Sequence, residues 1–307
     1  MYDSVTLFAP VHDPARLVSS LEDVQERYIQ RTGEMILTGR SRNLYIKTSG
    51  SGVTVNGSLS RYWLGSNVLA PTFSDCREAL RQLEEELGSS MATMSVYRLD
   101  IAATLNMKHP CPRYLRMFGS LPRFKRFERD KGLLYKTKRR ELDFYDKRAE
   151  ARSRKEALPK CFNGRNALRY ELRYRQFLKE QFGGKVTAER LVDVDFFRDV
   201  VQRWVSSYHA VDKHPGTLAV SLDMTSPKSF GTSLERFAID QLGGEAAILE
   251  DLSICRDAGE VSRVNYSRIR AKIARLCRNS ALEHREEPIR ELDTAVLREA
   301  ERLQECA

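Results

Sequence analysis

The sequence predicts an α+β protein: an antiparallel sheet within residues 1–184, then a mostly α-helical region over 185–307. Two observations lead there. Before Gly183-Gly184, short runs alternate polar and apolar side chains with period two, as in Val96-Tyr97-Arg98-Leu99-Asp100-Ile101-Ala102 and Leu168-Arg169-Tyr170-Glu171-Leu172-Arg173-Tyr174. After it, apolar residues recur at helical spacing. The glycine pair marks the boundary between two expected domains.

Val5-Thr6-Leu7-Phe8, Met35-Ile36-Leu37-Thr38 and Leu44-Tyr45-Ile46-Lys47 read as early strands, and Leu17 to Ile29 has helical spacing between the first two. Gly50, Gly52, Asn56 and Gly57 supply turns around Val53-Thr54-Val55. Ser74-Asp75 can cap a helix through Cys76, Leu80, Leu83 and Leu87 that ends at Gly88. Met94 to Leu105 is a strand with Arg98 and Asp100 on one face and Tyr97, Leu99 and Ile101 on the other. From Arg113 to Arg140 eleven basic residues face two acids, interleaved with Tyr114, Phe118, Phe124, Phe127 and Tyr135. Glu141 to Lys147 is the next strand, and Arg148-Ala149-Glu150 begins a helix. Leu168 to Tyr174 follows, with Arg169, Glu171 and Arg173 on one face. Beyond the boundary, helices are expected over Ala188 to Val205, Thr232 to Leu242, Leu249 onward, Asn265 to Arg278 and Glu286 to Glu305.

At 307 residues the chain is long enough to bury a core without staples. A net charge of +9 favours polyanionic partners, nucleic acid or an anionic membrane surface. Cys76, Cys111, Cys161, Cys255, Cys277 and Cys306 fit neither a disulfide nor a zinc framework, so reduced thiols and the cytoplasm are expected, that of an infected cell if the gene is viral. No secretory signal is evident, and no run approaches the ~18 apolar residues of a membrane span. The five histidines are scattered with no His-x-His pair, and no phosphate loop ends in Gly-Lys-Ser/Thr.

The chemistry concentrates in Glu141-Leu142-Asp143-Phe144-Tyr145-Asp146-Lys147-Arg148-Ala149-Glu150. A phosphodiester-cutting enzyme would need such a set: Tyr145 is a candidate nucleophile, Lys147 a candidate cation for phosphate, and a strand would put both on one face. Asp100, Glu150 and Glu171 offer oxygen ligands for Mg²⁺ or Mn²⁺. A phenol with a pKa near 10 needs such help at neutral pH. Arg123, Lys125, Arg126, Lys136, Lys138, Arg139 and Arg140 are candidate DNA contacts, with aromatics beside them for stacking. Each feature has an ordinary counterpart: surface ion pairs for Asp100 and Glu171, a packed aromatic for Tyr145, a solvated loop for the basic run.

Four motifs together resemble the replication initiators of filamentous phages, the gene II/X family. They are Asn56-Gly57-Ser58 through Leu64-Gly65-Ser66-Asn67-Val68, Arg98-Leu99-Asp100, Tyr145-Asp146-Lys147-Arg148-Ala149-Glu150, and Leu168-Arg169-Tyr170-Glu171. They recur in family order across residues 56 to 175, roughly 40% of the chain. The resemblance implies a rolling-circle initiator. Such an enzyme nicks one strand of supercoiled origin DNA through a 5′-phosphotyrosine, here on Tyr145, with Asp100, Glu150 and Glu171 on the metal. It leaves a 3′-OH for the host polymerase, works with a host helicase, and rejoins the displaced strand. Ser66 stands where the family usually has histidine. Asp143 can replace Glu150 as ligand, and Tyr135 is a second candidate nucleophile beside Lys136 and Lys138. Residues 261–273 can be the second part of a helix-turn-helix capped by Asn265, or a packing helix with a basic solvent face. The alternatives are a non-catalytic DNA-binding regulator or single-strand binder, and a metal nuclease that activates water.

Overall fold

Ten strands pair into one antiparallel sheet in the computed structural model. They are β1 (Tyr2–Ala9), β2 (Glu22–Ile29), β3 (Glu34–Ser41), β4 (Leu44–Ser49), β5 (Gly52–Ser58), β6 (Ser95–Met107), β7 (Lys125–Arg129), β8 (Gly132–Lys136), β9 (Arg140–Asp146) and β10 (Asn166–Tyr174), in the order β2-β3-β4-β5-β1-β6-β10-β9-β8-β7. The helices are α1 (Leu59–Leu64), α2 (Phe73–Leu87), α3 (Cys111–Leu115), α4 (Lys147–Ser153), α5 (Leu178–Gln181), α6 (Ala188–Leu191), α7 (Val194–His209), α8 (Pro227–Gln241), α9 (Gly244–Asp257), α10 (Arg263–Cys277) and α11 (Leu282–Glu305). The structure describes residues 1–10, 17, 21–50, 52–213, 225–277 and 282–305. The α+β class and the antiparallel sheet are as the sequence predicts.

The chain forms two compact units. The first holds the sheet and comprises Met1–Leu115, Gly119–Asp212 and Leu292–Ala307; the second comprises Arg116–Phe118 and Lys213–Glu291. The boundary expected at 184 therefore falls inside the first unit, and α5, α6 and α7 belong with the sheet.

In the first unit, one sheet face is apolar. Phe144 stacks on Tyr170 at 4.6 Å, and Tyr170 on Trp204 of α7 at 4.8 Å. Tyr2 and Phe73 both meet Phe197 edge-on, at 5.5 and 5.1 Å. Leu292, Val296, Ala300 and Leu303 are buried at helical spacing, and Tyr208 donates to Asp293 at 2.6 Å. In the second unit, α8, α9 and α10 close over Ile239, Leu252, Ile273 and Leu276.

Six local expectations are corrected. Glu22–Ile29 is a strand, not a helix: its i, i+3, i+7 spacing of Leu21, Val24 and Tyr28 is helical, but pairing with β3 (Arg27 opposite Ile36) overrides it. Its exposed charges blunt that edge. Asn56 and Gly57 lie inside β5, opposite Thr6 and Val5, rather than in a turn. The cap of α2 is Thr72, reciprocally bonded to Asp75 in a capping box; Ser74 is already helical. The basic run contains a hairpin, β7 with β8, whose alternation is hidden because nearly every residue of Lys125–Arg129 is charged. Later, the stretch from Ala188 breaks into α6 and α7 where Asp193 caps the second. Asn265 lies within α10, its amide donating to Ser262 Oγ at 3.3 Å. Cys306, His12 and His214 lie outside the described residues.

Candidate active site

Register brings the charged residues together. Across β9 and β10, Asp143 opposes Glu171 and Tyr145 opposes Arg169; across β6 and β10, Asp100 opposes Arg173. Strand alternation therefore puts Asp100, Asp143, Tyr145, Arg169, Glu171 and Arg173 on one face, with Phe144 and Tyr170 on the other against α7.

The tyrosine is tied into this face. Its hydroxyl donates to Glu171 Oε1 at 2.8 Å. The same carboxylate accepts from Arg169 Nε at 3.1 Å and, through Oε2, from Arg173 Nη2 at 2.6 Å. Arg169 is wholly buried; it also pairs with Asp3 at 3.2 Å and donates to the Asn67 carbonyl at 2.5 Å and Thr104 Oγ1 at 3.2 Å. Arg173 reaches Asp143 at 2.8 Å, and Arg129 pairs with Asp143 from the far side. Arg98 holds both oxygens of Asp100, at 2.9 and 2.5 Å.

These contacts set protonation. Burial alone would raise the Glu171 carboxyl, but Arg169 and Arg173 outweigh it and hold the group down at about 2. Asp100 goes the other way: burial pushes it up to about 6 despite Arg98. Asp143 is also raised by burial. The Tyr145 phenol is pushed up by burial, which the Arg169 charge only partly opposes. The hydroxyl is therefore neutral at rest and must lose its proton as it attacks.

Tyr145 opens into a cleft of about 440 Å³ that Arg129, Lys131, Glu150, Arg154 and Arg173 also line. Gly132 lets β8 pass close by: a Cβ there would sit 2.9 Å from the Phe144 carbonyl and 3.0 Å from Tyr145 Cβ. Tyr135 is differently placed. It is fully buried, on the opposite face with Leu142, and its hydroxyl donates to the Gly119 carbonyl at 2.7 Å. Tyr135→Phe should therefore cost about 1–2 kcal/mol of stability, from the lost hydrogen bonds with the Gly119 carbonyl and Arg126, in a denaturation midpoint. It should leave the chemistry at Tyr145 unchanged in a turnover assay.

The other expected site residues separate. Lys147 is wholly buried; its ammonium donates to Asn67 Oδ1 at 3.0 Å and Glu150 Oε2 at 2.5 Å, and burial lowers its pKa. It braces Glu150 and the Asn67 loop and does not line the cleft. Glu150 also pairs with Arg154 at 3.0 Å. Among the described residues no three of His, Cys, Asp or Glu gather as a metal-ligand group. The oxygens of Asp100 and Glu171 are taken by guanidinium groups and Tyr145, and those of Glu150 by Lys147 and Arg154. In this arrangement the three acids do not fit a shared divalent ion.

The basic residues divide too. Lys125 faces the Tyr145 side with Phe127 and Lys136, where Lys136 pairs with Glu141 at 3.2 Å. Arg126 pairs with Glu128 on the other side. Arg123, Lys138, Arg139 and Arg140 line a separate cleft.

Reasoning from sequence missed Asp3, Asn67 and the central part of Arg169. The signal for Asn67 was its place in the Leu64-Gly65-Ser66-Asn67-Val68 motif: Gly65 ends α1 in the left-handed conformation and delivers Asn67 to Lys147 and Arg169. Ser66, where the family usually has histidine, accepts from the Val68 amide at 3.2 Å.

An antiparallel sheet with a tyrosine set among acids and guanidinium groups on one face is the frame in which the family match falls. The family described as the N-terminal part of the gene II replication-associated protein matches residues 1–207, and the chain belongs to it, the family of filamentous phage gene II replication initiators. No curated protein matches the chain. As a replication initiator of this family it is a DNA-binding protein. No described helix is long and apolar enough to cross a membrane.

Proposed function

We propose that the chain nicks one strand of its replication origin, with Tyr145 as nucleophile, and later rejoins the displaced strand. Tyr145 Oη attacks the scissile phosphorus and a bond forms from phosphorus to that oxygen. The P–O3′ bond breaks, and the departing oxygen takes a proton to become the 3′-OH. The phenol's own proton leaves to hydroxide from solvent, while the ionised Glu171 orients the hydroxyl. Rejoining is the reverse, with a 3′-OH attacking the phosphotyrosine. The host polymerase would extend the first 3′-OH and a host helicase would unwind ahead of it.

The observation that carries this reading is Tyr145, whose hydroxyl bonds Glu171 and which lines a cleft with Arg129, Lys131, Arg154 and Arg173. Guanidinium groups beside the phosphate stabilise the charge that develops on it. Incubation with supercoiled DNA bearing the origin of the replicon that encodes the chain, followed by a denaturing protein gel, tests it. A labelled DNA–protein adduct is expected. Nicking with no adduct would instead favour activated water, and binding with no nicking a regulator.

Mg²⁺ or Mn²⁺, expected from the acids, enters this reading only by displacing a guanidinium from Asp100 or Glu171. Arg98→Gln frees Asp100, and removing that positive charge should tighten Mn²⁺ binding roughly tenfold, measured by calorimetry. Equal Mn²⁺ affinity in both chains would exclude Asp100 as a ligand.

A further inference from the structure

Pro122, Arg123, Phe124, Lys138, Arg139 and Arg140 line a cleft of about 730 Å³ together with Leu142, Ser207 of α7 and Ala210 just past the end of α7. Leu142 shares its face of β9 with Phe144, so this cleft lies on the α7 side of the sheet, opposite the Tyr145 face. Its chemistry also differs. The Tyr145 cleft mixes acids with cations, whereas no carboxylate lines this one. None of Arg123, Lys138, Arg139 and Arg140 has an acidic partner among the described residues.

Two aromatic rings border the cations. Phe177 is 44% exposed, with Arg139 over its ring at 5.2 Å and Lys138 at 5.9 Å. Arg140 lies 5.8 Å from the Phe124 ring. Phe177 and Arg123 are also two of the few non-glycine residues with positive φ, at 58° and 71°. A bulky side chain in the left-handed region is strained, and such strain is tolerated where the side chain has a task beyond packing.

We propose that this cleft is a second nucleic-acid site, which takes single-stranded DNA. Phosphates meet Arg123, Lys138, Arg139 and Arg140, and a base stacks on Phe177. Stacking on an exposed ring requires an unpaired base, which selects single strand over duplex. The cleft sits across the sheet from Tyr145, so it holds a segment other than the one being cut. The proposal rests on the DNA-binding class of the family but does not require Tyr145 to be the nucleophile.

The test is fluorescence anisotropy of the full chain with a labelled twelve-residue oligothymidylate, over a range of salt. Lys138→Gln with Arg139→Gln should weaken binding and flatten the dependence of log K on log salt by about 1.4, two phosphate contacts' worth for single strands. Phe177→Gly should weaken binding roughly tenfold, the loss of one stacked base. Glycine suits the left-handed backbone, so the same variant should melt at the same temperature or higher. A ring kept only for packing would give a lower melting temperature and unchanged affinity, and that result overturns the proposal. So does a parent chain that fails to bind the oligonucleotide, or an unchanged salt slope in the double variant. Adduct formation at the origin by the Phe177→Gly chain is a separate readout: its presence or absence bears on the nicking reaction and leaves the anisotropy result to decide the cleft.

Discussion

Tyr145→Phe should abolish the covalent adduct and reduce origin nicking by on the order of 10³-fold or more, the scale set by removal of a reacting group. The substitution deletes only the oxygen that would attack. The ring stays beside Gly132, and Glu171 keeps Arg169 and Arg173 as partners, so the fold should lose no more than about 1 kcal/mol. The parent's rate should rise with pH between about 6 and 9, because burial keeps the phenol protonated throughout and hydroxide increasingly removes its proton. An inflection near 6 would belong to Asp100, which burial raises to about 6. Nicking that survives in the phenylalanine variant at near-parent rate, with its adduct, would move the nucleophile elsewhere.

Arg169→Met should have the largest effect on stability. Its guanidinium is buried between Asp3 and Glu171 and also satisfies the Asn67 carbonyl and Thr104. Removing one member of a buried ion pair leaves an uncompensated charge and costs about 3–5 kcal/mol. Over a unit of this size that is a fall of roughly 10 °C in melting temperature.

The pH dependence gives a sharper signature. In the parent, Glu171 titrates at about 2, below its ordinary value of 4.5, so it contributes stability above about 4.5 that is lost as pH falls through 2. Without Arg169 the carboxyl loses its largest opposing charge and moves up from about 2, so its ionisation contributes less stability. The deficit of Arg169→Met should therefore be full above about pH 4.5 and shrink as pH falls towards 2, as followed by urea midpoints. A deficit independent of pH would mean that Arg169 acts by packing alone.

The main elements of this face were legible in the sequence. Leu-Arg-Tyr-Glu-Leu-Arg-Tyr reads as a strand with one charged and one apolar side whatever its neighbours are, and so do the strands of Asp100 and Tyr145. Periodicity also shows that Asp100 and Glu171 each have an arginine two residues away on the same side. It does not show register. Whether Glu171 lies opposite Asp143 or one residue along decides which guanidinium meets which carboxylate, and that depends on long-range packing. For the same reason Asp3 was invisible, and Asn67 showed only as part of a motif with no partner: they reach Arg169 from 166 and 102 residues away in the chain. Lys147 looked accessible because a strand would have aimed it with Tyr145. The chain instead turns at Asp146, whose side chain caps α4, and the lysine is buried against Asn67. The hairpin of Lys125–Arg129 was hidden because its cations obscure the alternation, and the β2 strand because its apolar spacing suits a helix as well.

The claim that Tyr145 attacks the DNA is tested most directly by mapping the linkage. The adduct formed on origin DNA is digested with nuclease and protease, and the peptide that retains a nucleotide is sequenced by mass spectrometry. The account predicts a 5′-nucleotide on the oxygen of Tyr145, in the peptide that runs from Glu141 to Lys147. A nucleotide on Tyr135, or on any residue outside the face shared by Tyr145 and Glu171, would contradict it.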